Sequence, residues 1–337
     1  MGYQQNNLGV QLDWSDFDEL DIHKQQNKSA LQSFTLTRVG DLLNEPSEHN
    51  EWVINDLLLR GGFSLLAGKP KAGKSTLTRC LAQAVARGHE FLGRTVKQGG
   101  VLFFSLEDHR TMLKKEFQRL GADSEDKIWV HCGSVNGDRY GILERAIEAH
   151  EPSLVIIDTI FRFTRCFDTN SYTQVLEALT PVSDLARKTG VHILAVHHAG
   201  KSERADSLDS VLGSVAVHGS MDCTLLLRRT SEYRIIESQQ RYGHDLPPTV
   251  LEYDPCTGWI ESGSLLENIE TQRLGSQILE LLENADQALT EREIVDSVSG
   301  KTTMLRKSLR SLVESGKVNR SGTGQRGHAF LYSSIVE

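Results

Sequence analysis

No run of apolar residues in this 337-residue chain is long enough to cross a bilayer. Met1 to Val10 is polar and lacks the basic start and apolar stretch of a signal peptide. Together these absences predict a cytoplasmic protein with no membrane partner. The five cysteines, Cys80, Cys132, Cys166, Cys223 and Cys256, are scattered and contain no Cys-x-x-Cys pair. That argues against a structural zinc site and against a disulfide framework. No internal repeat is visible. A net charge of −8 does not suggest a general basic coat for nucleic acid.

The composition, 39% hydrophobic and 24% charged, is that of an ordinary soluble chain, and the length suits one large domain plus a smaller one. Charge is unevenly distributed. Residues 1–50 carry Lys24, Lys28 and Arg38 against eight acids, and residues 265–300 carry Arg273 and Arg292 against eight more. Residues 301–332 carry Lys301, Arg306, Lys307, Arg310, Lys317, Arg320 and Arg326 against Glu314 alone. A positive face is therefore expected at one end of an acidic protein.

Residues 1–33, polar and aperiodic, read as a flexible acidic arm. Residues 34–262 alternate strand and helix. Phe63 to Ala67 is a short apolar run, followed by Leu77, Cys80, Leu81, Ala84 and Val85 at helical spacing, with Gly88 as the stop. Val101–Leu106, Leu154–Ile157 and Val191–Val196 are further apolar runs without alternation, as in parallel strands buried on both faces. After Met221 the helices stop, and Cys223–Leu227, Arg234–Ser238 and Val250–Tyr253 predict antiparallel strands that extend the sheet. Residues 263–272 read as a linker. Residues 273–337 predict three short helices and a β-hairpin, a winged helix-turn-helix. The fold class is thus α/β, with a mostly parallel core sheet, late antiparallel strands and a small C-terminal domain.

Gly68-Lys69-Pro70-Lys71-Ala72-Gly73-Lys74-Ser75 satisfies G-x-x-x-x-G-K-[ST] at every required position, and Thr76 continues into the helix. The glycines let backbone N–H groups turn inward around phosphates. Lys74 is expected to neutralise the β/γ charge of ATP, and Ser75 to offer its hydroxyl to Mg²⁺. The following helix aims its positive dipole end at the anion. Asp158, at the end of an apolar strand, is expected to hold the magnesium directly or through water. Glu107 and Asp108 follow another strand, where a carboxylate faces the ligand crevice and can polarise the attacking water. Glu107 is favoured for its longer arm. His197 and His198 end the next strand, where a histidine can bond the γ-phosphate and sense its loss.

These features resemble the RecA-fold ATPases of the plasmid replicative helicase RepA type over roughly residues 35–260. The matching segments are Gly68–Ser75, Ser105-Leu106-Glu107-Asp108, Leu154–Asp158 and His197-His198-Ala199-Gly200-Lys201. The resemblance implies Glu107 as catalytic base, His198 (less so His197) on the γ-phosphate, and a six-membered ring with ATP between subunits. It also implies a basic residue acting in trans from a late strand. The family often has Lys-Asn-Arg there; this chain has Gln239-Gln240-Arg241, keeping the arginine and losing the lysine.

In such rings the loops after the third and fourth strands face the channel. Here they hold Phe161, Arg162, Phe163 and Arg165, and then Lys201 and Arg204. Arginine would neutralise the phosphates of single-stranded DNA and phenylalanine would stack on bases, unless Phe161 and Phe163 pack under their loop. In the C-terminal domain, Arg306, Lys307 and Arg310 on the third helix, with Arg320 and Arg326 in the wing, suit duplex DNA. The expected function is a hexameric, DNA-dependent ATPase of helicase type. The alternative is an ATP-controlled DNA-binding switch that does not separate strands.

Overall fold

The computed structural model describes residues 36–44, 52–169, 171–198, 219–325 and 328–335. The chain divides into two compact units, residues 1–49 and 50–337. In the first, α1 (Val39–Leu42) has no buried residue, and Leu36, Val39, Leu42 and Leu43 are all exposed. The expected flexible arm, residues 1–33, lies outside the described residues.

The second unit opens with a small hairpin, β1 (Trp52–Ile54) and β2 (Leu58–Leu59), and then builds one nine-stranded sheet. Its strands are β3 (Phe63–Gly68), β4 (Val101–Ser105), β5 (Ile128–Cys132), β6 (Leu154–Asp158), β7 (His192–His198), β8 (Cys223–Arg229), β9 (Arg234–Gln240), β10 (Thr249–Tyr253) and β11 (Ile260–Leu265). The spatial order is β11-β10-β9-β8-β3-β7-β6-β4-β5. From β5 to β8 all neighbours are parallel; from β8 to β11 all are antiparallel. This is the α/β class expected, late antiparallel strands included. β3, β4 and β6 are buried at every position because helices cover both faces.

Those helices are α2 (Lys74–Arg87), α3 (Arg110–Arg119), α4 (Arg139–His150), the single turn α5 (Ile160–Thr164) and α6 (Tyr172–Thr189). Two apolar clusters form, one on each face of the sheet. Leu66, Val101, Phe103, Ile156 and Val196 meet Leu77, Leu81 and Val85 of α2. Leu65, Leu102, Val155, Ile157 and Ala195 meet Leu143 of α4 and Val175, Leu179 and Val182 of α6. Adjacent residues of a strand thus serve opposite faces, which is why these strands show no polar alternation.

Two strands of the nine-stranded sheet escaped the sequence reading, as did the short β1, β2 and β12. β5 is a sheet edge with no fully buried position, and its apolar stretch, Ile128-Trp129-Val130, is shorter than the runs of the central strands. β11 and the next helix, α7 (Leu266–Glu283), occupy residues 263–272, which had been expected as a linker. The polar composition there reflects an edge strand and a helix start, with Leu266 N–H bonded to Pro248 O.

After α7 come β12 (Leu289–Thr290), α8 (Glu291–Ser297), α9 (Thr302–Glu314), β13 (Val318–Ser321) and β14 (Leu331–Ser334). The strands form a small antiparallel sheet in the order β12-β14-β13. Leu274, Ile278, Leu282, Ile294, Leu305, Leu309, Leu312 and Tyr332 make a separate core. Thr290 and Glu293 close a capping box on α8, a device worth about 1 kcal/mol.

Candidate functional site

Strand register decides which residues meet. Gly68 lies opposite His198, and Asp158 lies opposite both Ser105 and Val196. The carboxyl ends of β3, β4, β6 and β7 therefore share one edge, and the loops leaving it carry the expected nucleotide residues.

The glycine-rich loop leaves β3 and runs into α2. Gly73 sits at φ 112°, and a Cβ there would lie 3.4 Å from Arg234 Nε. At Gly68 a Cβ would meet Leu227 O at 2.3 Å, so β8 packs too closely for any side chain. Gly73 precedes α2 without a side-chain cap, leaving the helix's first N–H groups for an anion. Lys74 is almost fully buried, and its Nζ donates to Gly68 O at 2.7 Å and Lys69 O at 3.0 Å. Burial pulls its ammonium down to about 8, against the opposing pull of Asp158 and Glu107. A buried cation at a helix N-terminus fits a polyphosphate, which would supply the missing counter-charge.

Ser75 Oγ donates to Asp158 Oδ2 at 2.8 Å. Burial raises the Asp158 carboxyl above its ordinary value, partly offset by that hydrogen bond. Hydroxyl and carboxylate thus converge beside the loop as a magnesium site needs. Among the described residues no group of three or more His, Cys, Asp or Glu could hold a metal. A divalent ion here would complete its shell with phosphate and water oxygens, as magnesium usually does.

The two adjacent acids have different surroundings. Asp108 is held by Ser105 Oγ at 3.1 Å and by the buried Arg79 at 3.3 Å. Glu107 instead faces Thr159 Oγ1 (3.4 Å), His198 Nε2 (3.2 Å) and Arg162 Nε (3.5 Å). His197 is a different kind of histidine from His198. Burial takes its ring down to about 4, so it is neutral near pH 7, and it meets Phe161 edge-on at 4.8 Å.

Arg162 Nη1 also donates to Leu106 O, and Arg165 donates to Val135 O and Asn136 Oδ1. Both loop cations are engaged within the chain. Phe163 is buried against Phe104 and Tyr140, so it packs under its loop; Phe161 is half-buried. Lys201, Arg204 and Arg326 lie outside the described residues.

Arg241 follows β9, which runs antiparallel to β8 and so ends at the sheet edge opposite Gly68. It pairs with Asp222 at 3.6 Å and donates to Gly219 O. It cannot reach the glycine-rich loop of its own chain. In the C-terminal domain Arg306 pairs with Glu291 at 2.7 Å, Lys307 with Glu267, and Arg320 covers the Phe330 ring at 4.6 Å. Arg310 lines a cleft of about 500 Å³ with Thr271, Gln272 and Glu314. The positive charge legible in the sequence is thus partly matched by acids that folding brings from α7 and α8.

Sequence reasoning missed Arg79 and Arg234. Arg79 had one signal, a cation one turn beyond Ser75, next to the apolar positions Leu77, Cys80 and Leu81. Arg234 reaches the loop only because β9 folds back beside β8, and nothing local marks it.

Residues 25–204, more than half of the chain, match the model of the AAA domain family. The chain is 26% identical over 192 residues to the DNA repair protein RadA of Aquifex aeolicus (strain VF5), covering 55% of this chain and 38% of that protein. It thus spans about two fifths of that relative's length. Among solved structures it is similar to the KaiC-like protein PH0186 of Pyrococcus horikoshii OT3, with TM-score 0.47, 16% identity, and coverage of 63% and 93% of the two chains. With its phosphate loop, its buried lysine and the family match in view, the chain belongs to the AAA domain family, as a RecA-like P-loop ATPase.

Proposed function

We propose that this ATPase is driven by DNA and works as a ring of the RepA type, as a helicase or translocase in replication or repair. The observation that carries the reading is the shared edge: Lys74, the Ser75–Asp158 pair and the Glu107–His198 pair stand together there, with the α5 turn against them. The 26% identity to a protein named for DNA repair supports the polymer.

In this reading Gly68 to Thr76 and the start of α2 bind the triphosphate, and Lys74 neutralises its β- and γ-oxygens. Magnesium, held by Ser75 and Asp158, would offset further phosphate charge. Glu107 takes a proton from the attacking water, whose oxygen bonds to the γ-phosphorus as the bond to ADP breaks. His198, beside Glu107, reports whether the γ-phosphate is present to the segment that follows β7. The test is ATP turnover with and without single-stranded DNA, on protein of known solution mass, followed by strand displacement. Stimulation with unwinding is expected. Stimulation without unwinding selects the switch, which the engagement of Arg162 and Arg165 inside the chain favours. No stimulation removes both.

Arg241 is assigned to the neighbouring subunit's ATP, since its own loop is at the opposite edge. An arginine so delivered is worth about a thousandfold or more in rate. Arg241→Ala and Lys74→Ala proteins should each be inactive, and mixing them should recover part of the activity. Normal DNA-stimulated turnover by Arg241→Ala alone would place the finger elsewhere.

The C-terminal domain is read as a winged helix on duplex DNA, with α9 as the recognition helix. Its exposed ion pairs, each worth about 0–1 kcal/mol, are weak enough for phosphate to displace. Neutralising Arg306 and Arg310 together should weaken duplex binding and lower the slope of log affinity against log salt by roughly two. An unchanged slope would make this domain a protein-docking module.

A further inference from the structure

A cavity of about 520 Å³ lies between the end of α2, the end of α3 and the β10–β11 hairpin. Its walls include Gln83 and Arg87 of α2, Leu120 at the end of α3, Glu252 of β10, Trp259 just before β11 and Glu261 within it. At the rise of an α-helix, Gln83 and Arg87 stand roughly 14 and 20 Å along the axis from Lys74. The cavity is therefore separate from the nucleotide site, and its volume is that of a small-ligand site.

Three features of the wall ask for a partner. Glu252 and Glu261 are direct cross-strand neighbours in the β10–β11 ladder. Both are exposed, and among the described residues neither pairs with a cation. Like charges placed directly opposite destabilise an antiparallel pair. Arg87 does not neutralise them, being committed to Asp126 at 2.7 Å and Asp123 at 3.0 Å. Gln83 is only 1% exposed, and its Nε2 donates to Asp126 Oδ2 at 2.7 Å. That bond fixes the amide and leaves Oε1 buried without a donor, the mark of a missing partner. Trp259, half-buried, adds an aromatic surface of the kind that attracts cations.

A ligand that answers all three features carries positive charge, several N–H donors and a flat face. A bare metal ion does not, since among the described residues no group of three or more His, Cys, Asp or Glu could hold one. An ammonium brings the charge but is compact and strongly hydrated. A guanidinium brings five N–H groups in a planar fork that bonds carboxylates in pairs and stacks on aromatic rings. We propose that this cavity binds an alkylguanidinium, carried by a free small molecule or by an arginine side chain of a polypeptide. Glu252 and Glu261 accept the fork, Trp259 takes the flat face and Gln83 Oε1 accepts one further N–H. Binding relieves the repulsion between the two glutamates. The site does not depend on the DNA-driven reading above.

Isothermal titration calorimetry and thermal melting of the full-length protein in low-salt buffer test the proposal. The probes are agmatine for a free cation, N-acetylargininamide for a side chain in a polypeptide, and 1,4-diaminobutane as an ammonium control. At least one guanidinium probe should bind one-to-one at millimolar concentration and raise the Tm, and the tighter of the two identifies the source. Diaminobutane should bind at least fivefold more weakly. The double variant Glu252→Gln/Glu261→Gln should lose at least tenfold in affinity, while the free variant melts at or above the wild-type temperature because the repulsion is gone. A free variant that melts below wild type would show that the two acids already have partners, and would overturn the proposal. So would unchanged affinity in that variant, diaminobutane binding as tightly as the guanidinium probes, or no binding by either of them.

Discussion

Lys74→Ala abolishes ATP hydrolysis, with turnover falling by about a thousandfold and nucleotide binding weakened. The ammonium is buried at the mouth of the glycine-rich loop, where it bonds to the Gly68 and Lys69 carbonyls. A triphosphate replaces those neutral partners with charged ones. Charge-assisted bonds of this kind are roughly twice as strong as neutral ones, and losing a donor aimed at developing charge costs about 10²–10³ in rate. The fold should survive the change. Burial that draws an ammonium from 10.5 to about 8 costs the charged form about 3 kcal/mol, which truncation removes along with the two hydrogen bonds. Turnover assays and thermal melting, run together, separate the two effects. Near wild-type turnover by K74A would overturn the phosphate-loop assignment, and loss of folding would recast Lys74 as structural.

Glu107→Gln binds ATP with affinity close to wild type and turns it over about 10²–10⁴-fold more slowly. The amide keeps the shape of the side chain and its bond to Thr159, and it removes the basicity. Asp108→Asn is the internal comparison. Asp108 is already committed to Ser105 and Arg79, so its loss leaves the buried Arg79 short of a partner and reads out mainly in stability. A dead D108N with an active E107Q would reverse the assignment. The adjacency of the two acids left this choice to side-chain length in the sequence. Register and the position of Arg79 on α2 give it a physical basis, because one acid points at the histidine of β7 and the other at the helix behind the loop.

Much of the core was legible because it rests on local chemistry. Phe63-Ser64-Leu65-Leu66-Ala67 cannot be an amphipathic helix of useful length, and the glycine-lysine-serine pattern after it requires a turn that only glycines permit at Gly73. Leu154–Asp158 shows the same logic, an apolar run closed by one acid. The edge elements were not legible. β5 is a sheet edge without a fully buried position, so its apolar stretch ends after Ile128-Trp129-Val130, and the polar residues 263–272 hide a strand and a helix whose packing partners lie elsewhere in the chain.

By itself, then, the sequence determined the α/β class, the phosphate loop and the set of strand-end residues. Each depends on residues within a few positions of one another and on rules of backbone geometry. Tertiary structure alone decided the pairings. It joined Ser75 to Asp158 and Glu107 to His198, turned Arg162 onto Glu107, and set acids from α7 and α8 against Lys307 and Arg306. It also placed Arg241 at the edge away from its own loop. These are contacts across tens of residues, fixed by which strands lie side by side. Composition can count charges, but only register and chain direction determine which of them meet.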